Sequence, residues 1–182
     1  MTLLDQMMAV VTPHRTEEER SRVRLAACAL SLDGGWLSEV VRQHAAIEEA
    51  LLAVSAGADP VARRHALQWL STLLTGHSLA EQAVLYPALS FDRQRAQAVS
   101  AYADESNLKV ELAAMQAMDP MSLDFSDKLE RLRADLAFHL YEEEGSWYPA
   151  LHRGIDETRH AELSERFVTE FQRYMGADGE RI

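Results

Sequence analysis

Apolar positions recur every three or four residues along most of the chain, and runs with strict apolar–polar alternation are absent. This spacing is typical of amphipathic helices, so the sequence predicts an all-α protein. Glycine and proline, which interrupt helices, number only 8 and 5 and fall mostly between the helical stretches. The expected fold is therefore a set of long helices joined by short connections.

The limits of six helices follow from capping and breaking signals. Thr16 and Glu19 form a Thr-x-x-Glu capping box, in which each side chain can bond a free N–H of the other residue. Asp59 and Pro60 form a second strong start, with an aspartate N-cap followed by proline at the first helical position. The expected helices cover 16–32, 36–55, 60 to about 85, 90–92 to 119, 122–127 to about 147, and 156–175.

The four central helices would be neighbours in an up-down antiparallel four-helix bundle, because short connections favour that arrangement. No low-complexity linker divides the chain, so we expect a single domain over 1–182. The bundle would cover 36–152, with 1–35 and 153–182 as additional N- and C-terminal helical extensions packed against it.

One motif occurs twice, 62 residues apart. "HSLAEQAVLYPAL" begins at His77 and "HLYEEEGSWYPAL" begins at His139, and both read His-x-x-x-Glu, four residues, then Tyr-Pro-Ala-Leu. Positions i and i+4 share a helix face, so His77 faces the same way as Glu81, and His139 the same way as Glu143. An imidazole and a carboxylate one turn apart can bind one metal ion, and the second carboxylate oxygen can bridge to another.

The repeat extends into the preceding helices. A shift of 61 residues aligns "QHAAIEEALLA" with "DESNLKVELAA", which places His44 opposite Glu105. Each half of the bundle then supplies one candidate ligand followed by a His-x-x-x-Glu pair. The candidate metal ligands are His44, His77, Glu81, Glu105, His139 and Glu143. Three imidazoles and three carboxylates suit two hard-to-borderline cations, iron first, with manganese or zinc next.

These residues resemble the hemerythrin-like, or HHE cation-binding, domain over about 36–152. The bundle of that family holds a non-haem di-iron centre through histidines on its first and third helices and His-x-x-x-Glu on its second and fourth. The Tyr-Pro-Ala-Leu at 86–89 and 148–151 is also similar to the family. The resemblance implies two iron ions as the cofactor and a small diatomic or peroxide ligand.

One position departs from the family pattern, because Glu105 stands where the third-helix histidine would be. Three outcomes are open: Glu105 ligates as a carboxylate, the site loses or weakly binds one metal, or Glu48 joins a remodelled site from one turn after His44. We expect the first outcome, because a glutamate can coordinate a metal and reaches the same space.

The resemblance implies a protein that reacts with or senses dioxygen, peroxide or nitric oxide. A carboxylate at Glu105 should stabilise the ferric state, so we expect oxidase-, peroxidase- or catalase-like reactivity, or oxidative sensing, over reversible oxygen carriage. Iron binding or storage without turnover stays open, as does a helical protein-interaction module with a structural or vestigial metal site. Whether the protein is an enzyme is not decided by the sequence.

Other polar residues near the motif are assigned ordinary roles. Of the glutamate run at 142–144, only Glu143 shares the face of the upstream histidine, so we expect its neighbours to be exposed. Tyr86 and Tyr148 could donate hydrogen bonds to metal ligands. We expect them instead to pack where the following prolines bend or end their helices.

Composition narrows the class of partner. The formal net charge of -11 argues against binding to nucleic acid or to an anionic membrane surface. The single cysteine, Cys28, excludes an intrachain disulfide and a thiolate metal cluster. No basic segment precedes the first apolar residues and charges interrupt every long apolar stretch, so we expect a cytoplasmic protein. The outer helices could support a homodimer.

Overall fold

The computed structural model describes residues 16–31, 34–91 and 94–176. Within these ranges the chain is helical and contains no strand, which confirms the all-α prediction. Its helices are α1 (Glu17–Leu30), α2 (Trp36–Ala56), α3 (Pro60–Ala80, continued by Tyr86–Phe91), α4 (Arg95–Gln116), α5 (Leu123–Glu142, continued by Tyr148–Gly154) and α6 (Glu157–Met175). No helix in the described part of the chain is both long and apolar enough to span a lipid bilayer.

Helices α2 to α5 form a closed four-helix bundle. Helix α3 packs against α2 and α4, and α5 packs against α4 and α2, so each helix has two bundle neighbours. The connections between consecutive helices are short, as in antiparallel up-down bundles. Helix α1 packs on α2 and α5, whereas α6 packs on α2 and α3. Among the described residues, the bundle therefore carries a helix before it and a helix after it, as the sequence predicts.

Side-chain caps define the helix starts that the sequence indicates. The capping box of α1 is formed in both directions between Thr16 and Glu19. Asp59 accepts hydrogen bonds from two backbone N–H groups at the start of α3, and Asp156 accepts one, from the Arg159 N–H, at the start of α6. Ser122 Oγ accepts from the Phe125 N–H and opens α5.

The expected ends of two helices were wrong. Helix α3 does not end near Leu85 but continues to Phe91, and the next helix begins at Arg95 rather than at 90–92. Likewise, α5 does not end near Trp147 but continues to Gly154. Both helices stay continuous because a five-residue π-helical turn, Glu81–Leu85 in α3 and Glu143–Trp147 in α5, joins their two α-helical parts.

Pro87 is tolerated inside α3 because other groups compensate for its missing N–H. Pro87 supplies no N–H to the carbonyls of the preceding turn, which are those four and five residues back beside the π-turn. Both of these carbonyls accept a side-chain donor: Gln82 O accepts from Tyr102 Oη at 2.9 Å, and Ala83 O accepts from Arg166 Nη2 of α6 at 3.3 Å. Arg166 of α6 thus provides a hydrogen-bond donor to a backbone carbonyl of α3 beside the π-turn.

Helix α6 also completes the start of α2. Gly35 adopts a positive φ of 84° and offers no side chain to cap the helix. Instead, Ser164 Oγ accepts a hydrogen bond from the Trp36 N–H at 2.8 Å. A Cβ atom at Gly35 would lie 3.0 Å from that oxygen, so glycine permits both the backbone conformation and the contact.

We expect Phe167→Ala to lower the free energy of unfolding by about 3–5 kcal/mol, because it opens a cavity in a closely packed core. Phe167 is fully buried, and its ring lies 6.4 Å from that of His77. Phe91→Ala is the matched control, since Phe91 is 86 % exposed and its loss should stay within about 0.5 kcal/mol. Equal losses in denaturant titrations would show that α6 is not seated on the bundle.

Candidate metal centre

The six candidate ligands converge in the interior of the bundle, and none has more than 2 % of its surface exposed. They come from four helices: His44 from α2, His77 and Glu81 from α3, Glu105 from α4, and His139 and Glu143 from α5. As the i, i+4 spacing predicts, His77 Nε2 lies 3.1 Å from Glu81 Oε2. In the second pair, His139 Nε2 lies 3.4 Å from Glu143 Oε1.

The donor atoms form two groups that share a glutamate. A nitrogen-rich group contains His44, His77, Glu81 and Glu143, and an oxygen-rich group contains Glu81, Glu105 and His139. Within each group the candidate ligand atoms lie within 4.8 Å of one another. Glu143 also links the groups, because its Oε2 lies 3.4 Å from His44 Nε2 while its Oε1 faces His139. The geometry thus frames two adjacent positions with carboxylates between them.

Within the described part of the chain, the Nε2 atoms of His44 and His77 and Oε2 of Glu143 face inward and make no hydrogen bond of good geometry, although carboxylate oxygens lie 3.1–3.4 Å from the two nitrogens. Such atoms are rare in protein interiors, because a buried polar group without a partner costs about 1–3 kcal/mol. Imidazole nitrogens and carboxylate oxygens directed at a common point are the donors that a borderline divalent cation takes. The residues present therefore fit a metal ion.

The outer nitrogens of two histidines are held by acceptors on neighbouring side chains. His44 Nδ1 lies 2.8 Å from Glu144 Oε1, and His77 Nδ1 lies 2.9 Å from Gln43 Oε1. Because both partners are oxygen acceptors, each Nδ1 must donate. In a neutral imidazole this leaves the Nε2 lone pair facing the centre, which is the tautomer that binds a metal.

Glu144 was expected to be exposed, but only 3 % of its side chain is accessible. Helix α1 brings Arg24 against it, with Nε donating to Glu144 Oε2 at 2.9 Å and Nη2 lying 2.8 Å from Oε1. This two-pronged ion pair supplies the countercharge that lets a carboxylate be buried beside His44. Arg24 Nη1 also donates to Glu48 at 2.6 Å. Glu48 therefore turns to Arg24 and belongs to neither donor group.

A cavity of about 270 Å³ lies on the outer side of this ion pair, between α1, α2 and α5. Its lining includes Arg24, Glu48 and Glu144 but none of the six candidate ligands. The cavity therefore lies on the Nδ1 side of His44 and ends at Glu144, the carboxylate that hydrogen-bonds to this nitrogen.

Two tyrosines reach the carboxylates of the centre, so the expectation that they only pack at helix ends was wrong. Tyr86 Oη lies 2.9 Å from Glu105 Oε1 and 3.0 Å from Glu143 Oε1. Tyr148 Oη lies 3.0 Å from the same Glu143 oxygen and also hydrogen-bonds to Glu81. Each hydroxyl has one proton, so it donates to one carboxylate oxygen at a time.

The π-turns explain why the spacing did not reveal these tyrosines. Each tyrosine follows its glutamate by five residues, which in an α-helix would point it about 140° away from that glutamate. Over Glu81–Leu85 the helix is wider, and the Tyr86 N–H donates to the Glu81 carbonyl five residues back. The additional residue in the turn brings Tyr86 to the face of Glu81, and Glu143–Trp147 does the same for Tyr148.

Neighbouring charges shift the pKa values of the metal-free histidines in different directions. Burial alone would lower the pKa of His44, but its contacts with Glu143 and Glu144 outweigh burial and raise this pKa to about 10. For His139, burial is likewise outweighed, first by the charge of Glu143, and the pKa rises to about 9. Burial, followed by the nearby charge of His44, lowers the pKa of His77 to about 3.

The pKa values of the three buried carboxyl groups also shift in different directions. Burial and then the charge of Glu143 raise the pKa of Glu81 to about 7, while burial and then Glu81 raise that of Glu105 to about 8. Burial would raise the pKa of Glu143 too, but the surrounding histidines, His139 first, hold it at about 2. Near neutral pH the metal-free centre therefore carries protons that an entering cation must displace.

We expect the metal-free protein to lose stability as the pH rises from 6.5 to 9. Folding raises the pKa values of His44, His139 and Glu105, so in this window the folded state binds more protons than the unfolded chain. The lowered pKa values of His77 and Glu143 oppose this loss mainly below the window, and His77 does so weakly at its lower end, where the unfolded histidine is still partly protonated. Thermal unfolding of chelator-treated protein should show a fall in Tm of at least about 3 °C.

Glu105→Gln removes one of these raised groups and should flatten the dependence of Tm on pH. Glu165→Gln is the control, because Glu165 is exposed on α6 and has no part in the centre. A Tm that rises over the same window would contradict the charge distribution described above.

Comparisons with known proteins agree with this geometry. The family model described as Hemerythrin HHE cation binding domain matches residues 37–151. A protein named "DNA nickase" from Nostoc sp. (strain PCC 7120 / SAG 25.82 / UTEX 2576) is 27% identical over 99 residues, which are 54% of this chain and 27% of that relative. The chain thus spans little more than a quarter of that relative's length. No solved structure matches the chain.

The family model covers well over half of the chain, and both buried donor groups fall within the matched residues. The bundle, the repeated His-x-x-x-Glu pairs and the unpartnered donor atoms all agree with that match. The chain belongs to the hemerythrin HHE cation-binding domain family.

Proposed function

We propose that the chain binds two metal cations, of which iron is the preferred identity. It would use them to react with or to sense dioxygen, peroxide or nitric oxide. The proposed ligands are His44, His77, Glu81, Glu105, His139 and Glu143. The observation that carries the proposal is the pair of overlapping donor groups, whose atoms lie within 4.8 Å of one another. That three of these buried atoms make no hydrogen bond of good geometry within the described part of the chain supports it further.

Each proposed ligand has a distinct position relative to the two cations. His44 and His77 would hold one cation, and Glu105 and His139 the other, while Glu81 is within reach of both. A bound pair of redox-active ions would supply the electrons that reduction of dioxygen or peroxide requires.

The identity of residue 105 decides whether we expect oxidation chemistry or reversible oxygen binding. Its carboxylate offers a negative charge where the family pattern has a neutral imidazole, and negative charge favours the higher oxidation state of a neighbouring ion. We therefore propose oxidase-, peroxidase- or catalase-like reactivity, or oxidative sensing, over reversible oxygen carriage.

Tyr86 and Tyr148 would orient the bridging carboxylates and hold protons beside them. Burial, followed by the charge of Glu143, raises the pKa of both tyrosines well above the usual value. Both hydroxyls therefore stay protonated at neutral pH and remain donors. Replacing either by phenylalanine would leave a buried carboxylate with one donor fewer.

Apolar rings separate the centre from bulk water. The Phe167 ring of α6 lies 6.4 Å from His77, and the Trp147 ring lies 6.1 Å from His139. Exclusion of water strengthens the electrostatic interaction between a cation and its carboxylate ligands, because screening is weaker in a low-dielectric interior. A reactive small ligand would also be shielded there from bulk solvent.

His77→Ala should lower the metal content of protein purified from iron-supplemented cells from about two ions per chain to one or fewer, because it removes an inward-facing donor. His65→Ala is the matched control, since His65 lies exposed on the same helix and should leave the content unchanged. Metal would be counted by mass spectrometry alongside the Tm of each variant. Full metal content in His77→Ala would contradict the assignment of this ligand.

Reactivity is tested by mixing the anaerobically reduced, iron-loaded protein with peroxide and with dioxygen. We expect peroxide to be consumed over repeated additions and the iron to be left ferric. The His77→Ala protein should lose this activity and His65→Ala should keep it. A stable oxygen adduct that releases oxygen on degassing would contradict the proposal and favour oxygen carriage.

Two alternatives predict other outcomes. Storage or buffering of iron predicts reversible uptake without peroxide consumption. An interaction module would need the outer helices to offer free apolar faces, but Leu163, Phe167, Phe171 and Met175 of α6 are buried against the bundle. This packing favours a structural role for α6 within the chain.

The setting of the protein is also a proposal. We propose a cytoplasmic location and no nucleic-acid partner, since the net charge of -11 opposes contact with phosphate backbones. The name of the Nostoc relative describes that longer protein and not this chain. We propose that a homodimer, if formed through the outer helices, would use α1, where Leu25 is 70 % exposed, since the apolar face of α6 is buried against the bundle.

A further inference from the structure

The two donor groups of the centre differ in chemistry, although they share a glutamate. The nitrogen-rich group presents two imidazoles, His44 and His77, with two carboxylates. The oxygen-rich group presents one imidazole, that of His139, with the carboxylates of Glu81 and Glu105. Glu143 adds a further oxygen there, because its Oε1 lies 3.4 Å from His139 Nε2. The two positions thus offer two nitrogens with two oxygens and one nitrogen with three oxygens.

The surroundings of Glu105 hold its carboxylate in place as an oxygen donor. Tyr86 Oη lies 2.9 Å from Oε1, and Gln82 Nε2 donates a hydrogen bond to Oε2. Lys109, one turn along α4, places Nζ 3.9 Å from the same Oε2. Tyr102 Oη in turn donates to the Gln82 carbonyl at 2.9 Å, which fixes the π-turn that carries Gln82.

These partners suit a carboxylate at position 105. The amide of Gln82, the hydroxyl of Tyr86 and the ammonium of Lys109 are all donors, so they match an acceptor with two oxygens and a negative charge. An imidazole offers one acceptor nitrogen at most and would leave some of these donors without a partner. The oxygen-rich character is therefore built into the neighbouring side chains as well as into Glu105.

We propose that the two positions select different metals, with iron in the nitrogen-rich group and manganese in the oxygen-rich group. Imidazole donors suit iron and zinc, whereas carboxylate donors suit manganese. This inference rests on the proposed function, because it assumes that both donor groups bind a cation. It goes beyond that function by making the centre a mixed-metal site.

A supply-ratio experiment separates unequal positions from equivalent ones. The metal-stripped full chain is dialysed anaerobically against Fe²⁺ and Mn²⁺ at constant total concentration while their ratio is varied, and bound metal is counted. Divalent iron generally binds more tightly than manganese at a given site, so equivalent positions would exchange together in one smooth transition. Unequal positions should instead exchange at supply ratios about a thousandfold apart, which corresponds to a difference in preference of about 4 kcal/mol. Between those ratios the chain should retain about one iron and one manganese over at least a tenfold range.

Glu105→His gives the second position a second imidazole and should abolish this plateau, because both positions then offer two nitrogens. Glu165→His is the matched control, since it makes the same exchange at an exposed site on α6 and should keep the plateau. His77→Ala is a second variant, which should lose iron before manganese. Thermal unfolding of each variant verifies that the bundle is folded.

The outcomes distinguish this inference from the proposed function. A smooth single transition in the unmodified chain, or a plateau that survives in Glu105→His, would overturn the mixed-metal inference and leave the two-cation proposal intact. Retention of one ion only would overturn the inference and the two-cation stoichiometry. Failure to retain any metal would overturn both the inference and the proposed function.

Discussion

The structure depends on the burial of three imidazoles and three carboxylates at the centre of an apolar bundle. Charged groups in such a place are strongly destabilising unless each is paired, hydrogen-bonded or bound to a metal. The metal-free centre meets this condition only partly, because His44 Nε2, His77 Nε2 and Glu143 Oε2 make no hydrogen bond of good geometry to any described residue. A cation at each position would use those atoms as ligands, so metal binding and folding should be tightly coupled.

The other elements of the fold serve this centre. Helix α1 contributes Arg24, which forms an ion pair with Glu144. Glu144 in turn holds the ring of His44 through its Nδ1 atom. Phe167 of α6 packs beside His77, and Arg166 of α6 donates a hydrogen bond to the Ala83 carbonyl of α3. The two π-turns turn tyrosine hydroxyls toward the carboxylates, at the cost of regular helical hydrogen bonding.

Most of the fold and the six converging side chains could be predicted from the sequence, because helical periodicity and the repeat are local signals. The i, i+4 rule directly predicted that Glu81 lies on the same helix face as His77, and Glu143 on the same face as His139. The continuation of α3 past Pro87 could not be predicted, since a π-turn has no clear sequence pattern. Glu144 was missed for a different reason: its burial depends on Arg24, which lies 120 residues away in the sequence.

The central claim is that two cations sit side by side and share glutamate ligands. X-ray absorption at the iron edge, on protein loaded with iron alone, tests this claim most directly. We predict nitrogen and oxygen neighbours and, beyond them, an iron–iron vector at about 3.5–4 Å, the spacing typical of two-metal sites. A first shell of the same donors with no metal–metal vector, or a shell of oxygen alone, would contradict the account.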